Sequence, residues 1–201
     1  MTRLCTVLLA AGSSSRYGGI KLLAQIDGVS LLRRAAQTAL EAGTELVVVT
    51  GAYTAEFDAA LNGLDTTRIH NADWAEGMGG SIACAFQLLC ARIDPPPAAL
   101  VCLADQPQIG APQLRRLIEV WREQPDCIIA SQFGATQGPP CLFPRRYFDE
   151  LAQLRGPQGA RRVLDAHPDV VRAIALPEAA VDIDTVEDYQ RSLSPSKGRG
   201  R

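Results

Sequence analysis

The sequence predicts an α/β fold, a three-layer sandwich in which helices cover both faces of a mostly parallel central sheet. Two observations carry this prediction. Short, strongly apolar segments alternate along the chain with longer segments whose apolar residues recur at helical spacing. The chain has 201 residues, of which 47% are hydrophobic, so it is long enough to form one buried core. We expect a single domain over residues 1–193, followed by a disordered polar tail at residues 194–201.

The N-terminal part of the chain predicts a strand, a glycine-rich turn and a helix. Residues 4–10 form a continuous apolar run that ends at glycine and serine, as in a strand buried on both faces of a parallel sheet. After the turn, Ser30 can cap a helix and Gly43 can end it. Residues 45–50 then form the next strand.

The same alternation continues through the rest of the chain. Short apolar segments predict strands at residues 67–70, 98–103, 127–131 and 170–176. Helical periodicity predicts helices at residues 81–91, 112–123, 145–154 and 159–167, and from residue 186 onward. The pattern loosens between residues 134 and 144, where no regular element is predicted. In a sheet of this kind ligands bind at the carboxyl ends of the strands, so we expect the functional residues there.

The charge of the chain gives no support for a nucleic-acid or membrane partner. Its formal net charge is −2, from 20 basic and 22 acidic residues that are mixed along the sequence. No apolar run reaches the roughly 18 to 20 residues that a membrane-spanning helix needs. Residues 1–3 lead directly into the first strand without a cleavage signature. We therefore expect a cytoplasmic protein that binds neither nucleic acid nor membranes.

The cysteines do not form a recognisable metal or redox motif. They include no Cys-x-x-Cys pair and no histidine at metal-binding spacing, and most have apolar neighbours. We interpret all six as reduced core residues: Cys5, Cys84, Cys90, Cys102, Cys127 and Cys141.

The turn after the first strand predicts a phosphate-binding site. Its small residues allow backbone N–H groups to approach phosphate oxygens, and Arg16 and Lys21 supply positive charge. It is not a Walker A loop, because Lys21 follows Ile20 rather than glycine and Leu22 offers no hydroxyl group. The alternative is a flexible turn with solvated charges. The predicted contacts are Leu9, Ala10, Ala11, Gly12, Ser13, Ser14, Arg16 and Lys21, of which Arg16 and Lys21 are candidate catalytic residues.

Three aspartates are candidate metal ligands. Asp105 lies just beyond a strongly apolar strand, and Asp182 and Asp184 alternate with apolar residues so that both should point the same way. Mg²⁺ takes few protein carboxylates and relies on substrate phosphates for its other ligands, which makes Asp105 both a metal and a catalytic candidate. The alternatives are that Asp105 forms a turn before proline, and that Asp184 or Thr185 caps the last helix.

A fourth segment, residues 71–82, contains glycines and a serine that open a helix. Such a turn can hold a base edge or a ribose through backbone groups. Alternatively, its serine only caps the helix. The predicted nucleotide contacts in this segment are Asn71, Gly79, Gly80 and Ser81.

Taken in order along residues 4–193, these segments resemble the molybdenum cofactor cytidylyltransferase group of the MobA-like nucleotidyltransferase superfamily. In that family Leu-Ala-Ala-Gly-x-Ser-x-Arg-x-Gly-x-x-Lys binds NTP phosphates, Asn-x-x-Trp-x-x-Gly-Met-x-x-Ser-Ile contacts the nucleoside, and Ala-Asp-Gln-Pro binds metal. A closing Asp-Ile-Asp-Thr follows. This chain matches the four motifs at residues 9–21, 71–82, 104–107 and 182–185. The resemblance implies a Rossmann-like α/β fold.

Two further segments resemble the acceptor side of the family's site, with one departure in each. Family members often carry Gly-His-Pro before a Leu-Phe pair, where this chain has Gly-Pro-Pro-Cys before Leu142 and Phe143. They also often carry Gly-Asp-x-Gly-Ala-Arg, where this chain has Pro157 in place of the aspartate. The expected acceptor contacts are Gly138, Pro139, Gly159 and Arg161.

The resemblance implies a Mg²⁺-dependent enzyme that transfers CMP from CTP to a molybdopterin-type molybdenum cofactor and releases pyrophosphate. An acceptor phosphate oxygen would attack the α-phosphorus in line, and no general base is required because the phosphate is already ionised. The expected substrates are CTP and a phosphorylated pterin-type acceptor, and a client molybdoenzyme is a candidate partner. Two alternatives stay open. One is a guanylyl- or sugar-phosphate nucleotidyltransferase, although this chain has Ala11 at the position where the guanylyl branch has glycine. The other is a non-catalytic protein that delivers molybdenum cofactor to a molybdoenzyme.

Overall fold

The computed structural model describes residues 3–14 and 17–193, so that Arg16 and the predicted tail at 194–201 lie outside the described residues. The strands are β1 (Cys5–Ala10), β2 (Gln25–Ile26), β3 (Val29–Ser30), β4 (Glu45–Thr50), β5 (Thr67–His70), β6 (Ala98–Leu103), β7 (Ile128–Phe133), β8 (Thr136–Pro144) and β9 (Val171–Ala175). The helices are α1 (Leu31–Glu41), α2 (Thr54–Ala60), α3 (Met78–Cys90), α4 (Ala111–Glu123), α5 (Phe148–Leu151), α6 (Arg161–Ala166) and α7 (Val186–Leu193).

Seven of the described strands form one sheet in the spatial order β5-β4-β1-β6-β8-β7-β9, while β2 and β3 form a separate hairpin. Strand β8 is antiparallel to both of its neighbours, and every other neighbouring pair in the sheet is parallel. The prediction of a mostly parallel sheet with helices on both faces is confirmed.

Side chains of the central strands alternate between two buried layers. In β1, Leu8 packs in one cluster with Leu32 of α1 and Leu117 of α4. The preceding residue, Val7, packs in the opposite cluster with Phe86 of α3. Because successive strand residues point to opposite faces, a strand that is buried on both sides must be apolar throughout.

Helix α1 begins and ends where the sequence predicts. The Ser30 side chain accepts a hydrogen bond from the Arg33 N–H at 3.3 Å, which satisfies one of the free donors at the helix start. Gly43 follows the helix with a φ of +83°, a conformation that glycine adopts without strain. This local chemistry fixes the path of the chain from the hairpin back to β4.

The prediction that residues 134–144 contain no regular element was wrong. Strand β8 (Thr136–Pro144) lies there, in the interior of the sheet. Proline lacks the N–H group that a central strand needs, which hid this strand in the sequence. The register shifts between Ala130 and Ser131 of β7, so that Ala130 pairs with Cys141 and Ser131 with Gly138. The two prolines between them are skipped by the ladder.

Other differences concern helices and cysteines. Helix α2 has no counterpart in the prediction, and α3 begins at Met78 rather than Ser81, since two glycines in its first turn weaken the helical signal. Cys5, Cys102 and Cys141 are buried as expected. The core interpretation was wrong for the others, because Cys90 is exposed and Cys84 and Cys127 are partly exposed. Their positions on a helix and before a strand gave no direct measure of burial.

The helices can also be compared with the length of a membrane span. Among the described residues, none of them is both long enough and apolar enough to cross a bilayer.

Candidate functional site

Lys21 joins two of the three predicted aspartates at the carboxyl edge of the sheet. Its Nζ donates to Asp105 Oδ2 at 2.7 Å and to Asp184 Oδ1 at 3.1 Å. These partners are 84 and 163 residues away in sequence. The structure therefore gathers the glycine-rich turn, the end of β6 and the segment before α7 around one ammonium group.

The charges of this cluster are only partly exposed to solvent. Burial by itself would lower the pKa of Lys21, but attraction to Asp105 and Asp184 outweighs it and raises the pKa above its ordinary value. Burial, the neighbouring Asp105 charge and, to a smaller extent, Asp184 raise the pKa of Asp182 to about 6. The three predicted carboxylates thus lie close enough to influence one another.

Two backbone features hold the aspartates in place. The Ile183 N–H donates to the Asp105 carbonyl at 3.0 Å, which fixes the C-terminal segment beside the end of β6. Thr185 caps α7, because its hydroxyl accepts from the Asp188 N–H and the Asp188 carboxylate accepts from the Thr185 N–H. Capping is therefore the role of Thr185, and Asp184 is left facing Lys21.

The turn after β1 presents backbone donors to the same region. Two of its carbonyl groups are occupied, since Ala11 O accepts from the Ala52 N–H at 3.2 Å and Ser13 O accepts from the Tyr53 hydroxyl at 2.9 Å. Gly12, Ser13 and Ser14 have no recorded backbone N–H bond to another described residue. Ser14 also has a φ of +55°, which is uncommon for a residue other than glycine and occurs more often at functional turns.

A cavity of about 340 Å³ lies between this turn, the end of β6 and the start of α3. The predicted residues on its wall are Leu9, Ala10, Ala11, Gly12, Ser13, Ser14, Lys21, Ser81 and Asp105. Other predicted residues do not line it: Asn71, Gly79, Gly80, Asp182, Asp184 and the four acceptor candidates. The turn after β1, which is predicted to bind phosphate, and Asp105 therefore line the same cavity.

Sequence reasoning missed the apolar part of this wall. Trp74, Met78 and Leu103 line the cavity together with the polar residues. Gly51 permits the packing of Trp74, since a Cβ atom on Gly51 would lie 2.7 Å from Trp74 Cβ and 2.5 Å from Ala11 O. The signal available in the sequence was the tryptophan and methionine within the predicted nucleoside segment. Apolar side chains there provide a surface on which a base or ribose can pack.

Asn71 does not line the cavity but holds residues that do. It is buried, its Nδ2 donates to Ser81 Oγ at 3.0 Å and its Oδ1 accepts from the Asp73 N–H at 3.1 Å. Its own N–H donates to the Thr50 carbonyl at 2.9 Å. The backbone of Asn71 thus holds the turn against β4, and its side chain orients the Ser81 hydroxyl.

The predicted nucleotide and acceptor segments are in direct backbone contact. The Gly79 N–H donates to the Gly156 carbonyl at 2.9 Å. A Cβ atom on Gly77 would lie 2.7 Å from the same carbonyl oxygen, and one on Gly159 would lie 2.8 Å from Met78 Sδ. At Gly77 the obstacle is fixed backbone, whereas at Gly159 the Met78 side chain could move and the φ of +56° is what favours glycine. Gly79 and Gly159 thus contribute packing.

The other acceptor candidates lie in two separate elements, β8 and α6. Arg161 is exposed at the start of α6 and pairs with Asp165 at 3.7 Å. Gly138 and Pro139 lie in the first half of β8, which runs antiparallel to β6 and therefore starts at the edge where β6 ends. The Pro139 carbonyl accepts a hydrogen bond from Gln106 at 3.3 Å, which places this segment beside the residue that follows Asp105.

The same residues can be tested for their fit to a divalent metal. Across residues 3–14 and 17–193, no three histidine, cysteine or acidic side chains form a ready-made metal site. Asp105 nevertheless has a buried oxygen, Oδ1, that lacks a hydrogen-bond partner among the described residues, while its Oδ2 already binds an ammonium group. Mg²⁺ often uses one or two protein carboxylates and takes further ligands from substrate phosphates and water. The carboxylates fit a metal that arrives with a phosphorylated substrate.

A sequence model of the MobA-like NTP transferase domain matches residues 6–171 of this chain. The match includes the glycine-rich turn, the cavity wall and Asp105, and stops before the segment that carries Asp182 and Asp184.

Two curated relatives are similar over nearly their whole length. Nicotine blue oxidoreductase of Paenarthrobacter nicotinovorans is 34% identical over 200 residues, covering 93% of this chain and 95% of the relative. The molybdenum cofactor cytidylyltransferase of Escherichia coli is 24% identical over 190 residues, covering 94% of this chain and 95% of the relative. The names of these relatives point to different reactions.

The fold is similar to that of Rv0371c from Mycobacterium tuberculosis. Its crystal structure superposes with a TM-score of 0.76 and 30% identity, covering 96% of this chain and 98% of the other. A structure of the same protein in complex with manganese superposes with a TM-score of 0.74 and 28% identity over 96% and 98% of the two chains. A divalent metal has therefore been seen bound to a protein of this fold.

Proposed function

Because this chain belongs to the MobA-like NTP transferase domain family, we propose that it transfers CMP from CTP to a molybdopterin-type molybdenum cofactor and releases pyrophosphate. We further propose that residues 1–193 act as one domain in this reaction. The sequence relative of that name in Escherichia coli supports the choice of reaction. A molybdoenzyme that receives the product is a candidate partner.

The observation that carries the proposal is the convergence of a phosphate turn and a charged cluster on one cavity. The turn offers backbone donors, and Lys21 and Asp105 line the same wall 2.7 Å apart. Donors and cations that are held in place before the substrate binds stabilise negative charge at low reorganisation cost. This arrangement suits a triphosphate whose α-phosphorus lies near Asp105.

The residues of the chain would act mainly by positioning and charge stabilisation. Gly12, Ser13 and Ser14 would bind phosphate oxygens through their N–H groups, and Lys21 would turn from the carboxylates toward the triphosphate. Arg16, in the same turn, would add a second cation. An acceptor phosphate held near Gly138 and Pro139 would attack the α-phosphorus opposite the leaving pyrophosphate.

The metal that fits this site is proposed to be Mg²⁺, held by Asp105 and by one or both of Asp182 and Asp184. When bound, it would neutralise negative charge on the phosphate oxygens. Among the described residues, the buried Asp105 oxygen without a partner is the atom that most directly supports this assignment.

The nearest alternatives within the family are a guanylyl- or sugar-phosphate nucleotidyltransferase and a non-catalytic cofactor delivery protein. A further possibility is suggested by the relative named nicotine blue oxidoreductase, which is 34% identical. The turn after β1 reads Ala-Ala-Gly-Ser-Ser-Ser and lacks the Gly-x-Gly-x-x-Gly spacing of common nicotinamide dinucleotide sites. Its approach to Lys21 and Asp105 favours transfer of a nucleotide.

Pyrophosphate release tests the proposal. Purified protein would be incubated with Mg²⁺, molybdopterin and each of CTP, GTP, ATP and UTP, and separately with each nucleotide alone. We expect release that depends on both CTP and the acceptor, and a thermal shift that is largest with CTP, because a ligand of the native state raises apparent stability. Oxidation of NADH or NADPH with quinone-type dyes, without pyrophosphate release, would contradict the proposal. Binding of molybdopterin without turnover would favour the delivery protein.

A further inference from the structure

Gln106 is a buried polar side chain immediately after the candidate metal ligand Asp105. Only 5% of the residue is exposed. Burying an amide is unfavourable unless its polar atoms are paired, so its hydrogen bonds indicate what it holds in place.

The Gln106 amide joins segments that are distant in sequence. Its Nε2 donates to the Ala179 carbonyl at 2.9 Å and to the Pro139 carbonyl at 3.3 Å. These partners are 73 and 33 residues away. Pro139 belongs to the proposed acceptor segment, and Ala179 lies in the short 3₁₀ helix Pro177–Ala180, which leads to Asp182. One side chain therefore connects both segments to the end of β6.

The orientation of this amide follows from its neighbours. A reversed amide would place its oxygen against two carbonyl oxygens, so the N–H groups must face Pro139 and Ala179. The oxygen, Oε1, is buried and has no hydrogen-bond partner among the described residues. A glutamate at this position would lose the donors and bring negative charge toward both carbonyl groups.

We propose that Gln106 is a positioning residue that holds the acceptor segment and residues 182–184 at fixed distances from Asp105. A phosphate-bearing acceptor held near Pro139 would then be aligned with the α-phosphate of the bound nucleotide. The inference rests on the proposed function, since it assigns an acceptor to β8. It assigns Gln106 no contact with either substrate.

Ser131 provides a matched control for the loss of a buried bond. Its hydroxyl is fully buried and donates to the Pro140 carbonyl at 2.6 Å, so it supports the same pair of prolines from β7. It has no recorded side-chain bond to Ala179 or to Asp105. Ser131→Ala thus loosens the acceptor segment without disconnecting it from the candidate metal site.

Steady-state kinetics would compare Gln106→Leu, Gln106→Glu and Ser131→Ala. For both Gln106 variants, we expect kcat/KM for the acceptor to fall at least about tenfold, while KM for CTP stays within about threefold. Ser131→Ala should stay within about threefold on both measures. An equal fall in Ser131→Ala, or a CTP effect as large as the acceptor effect, would overturn the inference.

Hydrogen exchange read by mass spectrometry tests the connection without any substrate. Gln106→Leu should increase exchange in peptides from β8 and from residues 177–183 together, whereas Ser131→Ala should affect β8 alone. If Gln106→Leu does not fold, Gln106→Asn takes its place, because its shorter side chain cannot reach both carbonyls. Unchanged exchange at residues 177–183 would overturn the inference. If the wild-type protein releases no pyrophosphate, the proposed function fails and this measurement still decides the connection.

Discussion

The two ends of the central sheet each carry a cavity and an ion pair, and they differ in how those charges are buried. At the amino-terminal end, a cavity of about 400 Å³ is bordered by Arg92 and Glu45, which pair at 2.8 Å with side chains that are 26% and 42% exposed. At the carboxyl end, the smaller cavity of about 340 Å³ is bordered by Lys21 and Asp105, with side chains that are 11% and 21% exposed.

Because both cavities have an ion pair and similar volumes, cavity size and charge do not by themselves distinguish the candidate site from the cavity at the other end. The Arg92–Glu45 pair is accessible to solvent, which screens it and makes it worth little. At the carboxyl end, burial strengthens each electrostatic interaction, and Asp105 still has a buried oxygen without a partner among the described residues. A ligand gains more where charges are already partly removed from water and donors are still unused.

The largest expected effect is that of Asp105→Ala. Removing this carboxylate should lower turnover at least about 100-fold, because it would remove both a metal ligand and the partner that orients Lys21. Pyrophosphate release at saturating CTP and Mg²⁺ measures the loss, and circular dichroism checks that the fold is kept. Near-normal turnover would remove the basis for assigning the metal to this end of the sheet.

Lys21→Ala should follow, with at least about a tenfold loss in kcat/KM for CTP and a smaller change for the acceptor. The ammonium group is the described cation on the cavity wall, and Arg16→Ala in the same turn should act in the same direction. Lys21→Arg should restore activity only in part, since a planar guanidinium differs in shape and hydration from the compact ammonium group of lysine. Unchanged CTP affinity in all three variants would contradict the assignment of this turn to the triphosphate.

The close backbone contact of the carboxyl end can be tested by a pair of glycine variants. A Cβ atom on Gly79 would lie 2.7 Å from the Arg155 carbonyl carbon, whereas the nearest atom to one on Gly80 is 3.5 Å away. We expect Gly79→Ala to lower the free energy of unfolding by about 1–3 kcal/mol. Gly80→Ala should be neutral or stabilising by up to about 1 kcal/mol, because alanine favours a helix. Chemical denaturation of both variants measures the difference, and equal stabilities would show that residues 155–159 do not press on α3.

The preference for CTP over GTP should be at least about tenfold in kcat/KM. This ratio corresponds to a difference of at least about 1.4 kcal/mol in transition-state binding. The turn at Ala10, Ala11 and Gly12 would contact the base mainly through backbone groups. Cytosine and guanine expose opposite orders of donors and acceptors, so a backbone edge that matches one leaves the other unpaired. Pyrophosphate release with each nucleotide measures the ratio. Equal or greater efficiency with GTP would reject the cytidine preference and keep the nucleotidyltransferase proposal.

The smallest expected effect lies at the opposite end of the sheet. Glu45→Gln should leave turnover unchanged and lower the free energy of unfolding by less than about 1 kcal/mol, since it breaks only a solvent-exposed ion pair. Thermal unfolding and pyrophosphate release would be measured side by side with Asp105→Ala. A loss of turnover in Glu45→Gln without loss of stability would mean that the two ends are coupled.

The parts of the fold that local chemistry determines were predicted from the sequence. The apolar strand at Cys5–Ala10 and the cap and end of α1 depend on residues that are adjacent in the chain. Strand β8 was not predicted because its prolines contradict strand propensity, and only the shifted pairing with β7 accommodates them. Pairing of this kind is a property of the folded sheet.

The site shows the same division. The phosphate turn and Asp105 were predicted from the edge at which parallel strands present ligands, and the structure places them on one cavity. The contact of Lys21 with Asp184 spans 163 residues, and the positions of Trp74 and Met78 depend on the approach of β4 and α3. These contacts depend on how distant segments pack together, and no local sequence pattern specifies that packing, so they could not be predicted. The structure also shows that Gly79 and Gly159 pack against neighbouring turns.

The bond between Lys21 and Asp184 determines when, during synthesis of the chain, the charged cluster can form. A ribosome synthesises the chain from its N-terminus, and the phosphate turn emerges long before the residues that complete the charged cluster. A nascent chain that has exposed only residues up to 180 contains the turn, the cavity wall and Asp105, yet lacks Asp182, Asp184 and the Ile183 bond to the end of β6. The buried lysine gains its second carboxylate only after residue 184 has been made, so a chain that stops at residue 180 presents an incomplete charged cluster.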